Sequence, residues 1–181
     1  MNSLQKIEEQ LDKLFNKSLP ALPSNAKKFI VSVAPWVALV GGLLSLYSTY
    51  ALWQWAHTLS VINNYTNAFN SLYSAYGYGY KAPNTNQMSI VLWIAMVVML
   101  IEGVIYLLAF PGLHKQNKSG WNFLFYGLIV NVVYGIVMIF TSYGGIGSFI
   151  AYLIGSAIGA YFLFQIRSLY LNGKSSSSTN S

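Results

Sequence analysis

The chain contains no cysteine. Disulfides, thiolate metal sites and cysteine nucleophiles are therefore excluded, and the redox compartment cannot be read from it. Charge is scarce as well. Only 8% of residues are charged, against about 25% in an ordinary soluble domain. Acid is scarcest of all, with four Asp and Glu against ten Lys and Arg. There are two histidines, His57 and His114. Membrane hydrolases need a metal cluster, or a nucleophile with its base. The apolar runs offer no His, no Asp and one Glu, so no enzyme and no cofactor are expected.

What is present instead is apolar: 55% of residues are hydrophobic, 16% are aromatic, and the mean hydropathy is +0.47. This is the composition of an integral membrane protein. The formal charge of +6 does not imply nucleic acid, because the cations lie between and beside the apolar runs and form no basic stripe. That placement suits lipid headgroups and the setting of topology.

Residues 3–18 place Leu4, Ile7, Leu11 and Leu14 three or four apart, with Phe15 beside them. This predicts an amphipathic helix on the cytoplasmic membrane surface, with a partner-docking helix as the alternative. Mixed charge here, and a first apolar run that is long and far in, do not fit a cleavable signal peptide. Pro20 and Pro23 end this helix, and Ser24 or Asn25 is positioned to cap the next. Residues 1–28 thus form a cytoplasmic helix and linker.

Four spans follow, at 29–53, 88–110, 121–143 and 148–166. The first begins after Lys27 and Lys28, contains Pro35, and is flanked outside by Trp53 and Trp55. Between spans one and two, Leu59, Ile62, Tyr65, Phe69, Leu72 and Tyr76 keep helical spacing, so the first half of 56–87 is expected to continue as an amphipathic helix. An irregular Tyr-rich loop, Tyr76-Gly77-Tyr78-Gly79-Tyr80, comes next. Its tyrosines suit either the membrane interface or an aromatic binding platform. Span two should end at Pro111-Gly112, and Gly144-Gly145-Ile146-Gly147 should make a tight hairpin turn. Residues 167–181 have the make-up of a disordered tail. With four spans, Lys6, Lys13, Lys17, Lys27, Lys28, Lys115, Lys118, Arg167 and Lys174 share one side, and Lys81 alone lies opposite. The positive-inside rule then makes both termini cytoplasmic. His57 and His114 fall on opposite sides, each expected to be a solvated interfacial residue.

The one carboxylate inside a span is Glu102. It lies about 12 Å from the cytoplasmic end of span two at a rise of about 1.5 Å per residue. Asn131, Ser156, Gly159 and Pro35 reach similar depth on the other spans. Tyr106 follows Glu102 by one turn, and Tyr134 adjoins a polar or small stripe of Gly127, Asn131, Gly135 and Ser142. An intramembrane carboxylate costs free energy unless protonated, paired or wetted, so it is a functional candidate by default. Glu102, Asn131, Tyr106, Tyr134 and Ser156 are therefore the candidate polar site. One reading is a structural bridge between helices; the other is a proton or cation carrier. On span four Gly147, Ala151, Gly155 and Gly159 repeat every four residues, a small-residue ridge suited to close helix packing within one chain or between chains.

Several segments also resemble a known pattern. Leu22-Pro23 with Lys27-Lys28, Pro35-Trp36, Gly120-Trp121-Asn122 with Leu124-Phe125-Tyr126, Asn131 to Gly135, and Tyr161 to Arg167 resemble small four-span bacterial membrane proteins found in reduced genomes. The resemblance covers most of the chain except the Tyr-rich loop, and implies an inner-membrane location without an assigned activity. Motifs of tetraspanins, claudins and established transporter families are absent. Together these readings predict an all-α, four-transmembrane-helix bundle with an N-terminal amphipathic surface helix, multi-pass in the bacterial plasma (inner) membrane. The expected role is non-enzymatic, structural or partner-binding, with a small proton- or cation-coupled transporter or channel as the alternative. The lipid bilayer and a homo-oligomer or another membrane protein are the expected partners, and nucleic acid is not.

Overall fold

The computed structural model describes residues 3–17, 19–77, 86–141 and 145–171. Among them are five helices and no strand: α1 (Ser3–Lys17), α2 (Ser24–Ala75), α3 (Asn86–His114), α4 (Lys118–Ile139) and α5 (Gly145–Leu171). The last four are long and apolar enough to cross a membrane. Each packs against the next, α5 returns to touch α2, and α1 docks on α5. The Tyr-rich residues 78–80 with Lys81, the turn residues 142–144 and the tail from 172 lie outside the described residues.

Helix α2 is the outlier. Its 52 residues extend about 78 Å at the usual rise, against a hydrocarbon core of about 30 Å. Span one and the helical half of the segment after it are thus one element. Pro35 lies within it, and both Pro35 and Val31, whose carbonyl the proline frees, are buried. Pro23 occupies the N-cap without a side-chain capping bond. Ser24 is already the first helical residue, so neither it nor Asn25 is the cap.

Three boundaries differ from the expected ones. Helix α3 runs through Pro111-Gly112 to His114, because proline's fixed φ is helical and only the donor toward the preceding turn is lost. Gln116, with φ of 50°, makes the turn, and α4 starts at Lys118. The linker between spans two and three therefore shrinks to three residues. Helix α4 ends at Ile139: the Phe140 and Thr141 amides donate to the Val137 and Met138 carbonyls in a closing turn. Gly145, with φ of 63°, begins α5, so Ile146 and Gly147 are helical.

The core gathers at one end of the bundle. Val31 and Ala38 of α2, Ala109 and Leu113 of α3, Trp121 and Phe125 of α4, and Ala160 to Tyr170 of α5 form one cluster that Phe15 of α1 joins. Trp121 stacks on Phe125 at 5.5 Å and meets Phe164 edge-on at 5.5 Å. At the other end Val133, Phe140, Ile146 and Ile150 are exposed. Lipid is as apolar as these side chains, so burial alone does not draw that end together.

The tight end is closed by glycines. A Cβ at Gly112 would stand 2.7 Å from the Gly120 Cα, and one at Gly120 would stand 3.0 Å from the Gly112 Cα. The turn from α3 to α4 is therefore backbone against backbone. Gly42 and Gly103 play the same part between α2 and α3: a Cβ on either would lie 3.1–3.2 Å from the other's carbonyl oxygen.

Candidate functional site

The polar layer assembles through three helices. Asn131 of α4 donates from Nδ2 to Glu102 Oε1 of α3 at 3.3 Å, and Ser156 Oγ of α5 donates to Asn131 Oδ1 at 3.3 Å. Asn131 suits the middle position because an amide carries both donors and an acceptor. The span-three stripe explains how the backbones come near enough. A Cβ at Gly127 would lie 3.0 Å from the Tyr106 ring, and one at Gly135 would lie 2.8 Å from Tyr152 Cβ. Tyr134 joins the same region by an edge-on ring contact with Tyr152 at 5.4 Å. Glu102, Asn131 and Ser156 thus form one hydrogen-bonded chain, with Tyr106 beside it and Tyr134 turned to Tyr152. Ser142 falls outside the described residues, and Pro35 brings no polar side-chain atom.

The span-four ridge is placed differently. Gly147, Ala151, Gly155 and Gly159 are all exposed. Nothing lies within 4 Å of a Cβ built at Gly147 or Gly155, and at Gly159 only Leu128 does, at 3.8 Å. Among the described residues the ridge glycines are therefore not points of close helix approach. Gly155 and Gly159 instead form part of one wall of a groove of about 720 Å³ between α2 and α5. The opposite wall is α2 from Phe29 to Gly41, and Tyr106, Asn131 and Ser156 reach its inner end.

A second constellation lies where α1 meets the bundle, and its composition gave little sign of it. Gln165 is 2% exposed. Its Oε1 accepts from the Leu22 amide at 3.1 Å, and its Nε2 donates to the Phe15 carbonyl at 3.1 Å. Tyr161 Oη donates to the Pro20 carbonyl at 2.8 Å, and Trp121 Nε1 donates to the Leu163 carbonyl at 2.8 Å. Arg167 pairs with Glu8 and with Asp12 (3.5 Å) while its guanidinium lies 5.4 Å from the Trp121 ring centre. Phe15 stacks on Phe164 at 5.8 Å.

Helix α1 therefore turns Glu8, Leu11, Asp12 and Phe15 toward the chain. Of the predicted stripe, Ile7 and Leu14 are exposed at 44% and 52%, and the Leu4 side chain is outside the description. The missed signal was the spacing of Glu8, Asp12 and Phe15, which share a face once Arg167 is supplied from α5. The two histidines lie against aromatic rings of their own helices. His57 stacks on Trp53 at 6.2 Å and His114 on Phe110 at 6.0 Å. Among the described residues no group of three or more His, Asp or Glu is placed to hold a metal. No family model, curated protein or solved structure matches this chain.

Proposed function

We propose that this protein is a non-enzymatic assembly or partner-binding protein of the bacterial inner membrane, with both termini cytoplasmic. The observation that carries the reading is the length of α2. A span accounts for less than half of its 52 residues, and the helix continues past Trp53 with no charged residue as far as Ala75. Tyr65, Phe69, Leu72 and Tyr76 are exposed along that extension, Tyr76 at 77%. Uncovered apolar and aromatic side chains of this kind mark contact surfaces. The excess of Lys and Arg on the other side of the bundle supports an outward direction for the extension.

Chemical crosslinking in native membranes tests this. The triple variant Tyr65→Ser, Phe69→Ser and Leu72→Ser is expected to lose higher-mass crosslinked species while its melting temperature stays unchanged. Unchanged crosslinking with a folded protein would remove the extension from any assembly role.

The second reading is transport of a proton or cation through Glu102. One observation favours it: Asn131, which bonds Glu102, also borders the groove. Proton flux into liposomes holding wild type or Glu102→Gln separates the two readings. Flux abolished by the substitution would establish transport, and flux no greater than that of empty liposomes would remove it.

A further inference from the structure

The groove between α2 and α5 has a polarity along its length. On α2 Ile30, Ala34, Ala38 and Gly41 line it, at spacings of four, four and three, hence on one helical face. Lys27 precedes Ile30 by three residues and continues that face, whereas Lys28 falls on the opposite side of the helix. Lys27 has no ion-pair partner among the described residues, while Arg167, at the corresponding end of α5, is taken by Glu8 and Asp12. The groove is therefore apolar along most of its walls, and its α2 face continues to one cation, Lys27. From Phe29 to Gly41 it extends about 18 Å at the usual rise. That is close to the depth of one leaflet, about 15 Å for half the hydrocarbon core.

We propose that the groove is a binding site for a single anionic phospholipid, its acyl chain lying against α2 and α5 and its phosphate at Lys27. Charge complementarity selects the headgroup. The exposed Gly155 and Gly159 give the chain a smooth wall without Cβ obstruction. The site takes its lipid from the leaflet on the side of the termini, and it uses no part of the α2 extension, so it stands or falls independently of the assembly role.

Native mass spectrometry of the full chain released from nanodiscs tests it, with phosphatidylglycerol competing against phosphatidylcholine. The wild type is expected to retain one phosphatidylglycerol in preference. Lys27→Ala should lower that preference about fivefold, the contribution of one lysine near an anionic headgroup. Lys28→Ala, an equal loss of charge on the other side of the same helix, should leave it unchanged. Gly155→Leu fills the groove from α5, and Val37→Trp fills it from α2. Either folded variant should lose the retained lipid with Lys27 intact. Three results would overturn the site: no preference for the anionic lipid, equal losses from the two lysine substitutions, or full retention in both filled variants. A disulfide formed between two copies carrying Gly155→Cys in the membrane would also overturn it, because a second copy would then occupy the groove.

Discussion

The contrast between Gly120 and Gly155 yields a prediction of opposite signs for one substitution. In a helix, Gly→Ala is worth about 1 kcal/mol of stabilisation when space is free. At Gly155 space is free, with nothing within 4 Å of the new methyl. Gly155→Ala should therefore raise stability by up to about 1 kcal/mol. At Gly120 the methyl would meet backbone at once, with the Gly112 Cα at 3.0 Å and the Gly112 carbonyl carbon and Leu113 amide nearer still. No side chain can swing aside, so α3 and α4 must part. Parting them loosens Leu113 and Trp121, which are 0% and 1% exposed. Overpacking of this kind costs about 1–3 kcal/mol. The upper end applies where backbone opposes backbone, leaving a net loss of about 2 kcal/mol after the helical gain. For a chain of this size each kcal/mol moves the melting temperature by about 2–4 °C. Thermal melting in detergent should thus show Gly120→Ala about 4–8 °C below wild type and Gly155→Ala as much as about 4 °C above it. If Gly120→Ala melts at or above wild type, the backbone contact between α3 and α4 is not what holds the turn.

The docking of α1 gives further predictions. Arg167→Ala removes the partner of Glu8 and Asp12 and the cover of Trp121. Stranding a largely buried carboxylate costs several kcal/mol, so limited proteolysis should cut within residues 3–23 many times faster than in wild type. Equal rates would mean that Phe15 and Gln165 suffice. Gln165→Leu keeps the volume but strands the Leu22 amide and the Phe15 carbonyl, at about 1–3 kcal/mol for each buried group left without a partner. Its melting temperature should fall, while Gln165→Glu, which retains the acceptor for Leu22, should fall less. Topology is testable by labelling: a cysteine replacing Tyr78 should react with an impermeant reagent applied outside, and one replacing Ser119 should not. The reverse pattern would invert the orientation.

What the sequence determines depends on the range of the interaction. Four apolar stretches of spanning length follow from residue type alone, because each must satisfy its own backbone and a helix does so locally. Depth along each span is a matter of counting, and counting puts Glu102, Asn131 and Ser156 in one layer. The scarcity of charge determined the class of protein in the same direct way. Rotation of one helix against another is not local, and there the sequence ran out. Spacing of small residues singled out Gly147, Ala151, Gly155 and Gly159, yet the backbone contacts fall at Gly42 with Gly103 and at Gly112 with Gly120. A repeat every four residues defines a face without saying what lies opposite it. Likewise Ile7 and Leu14 mark the apolar side of α1, but Arg167, 159 residues from Glu8, turns Glu8 and Asp12 inward. Composition and periodicity determined the helices and their depth. Which faces meet, and hence the groove, the polar chain and the seat of α1, was decided only when all five helices were packed together.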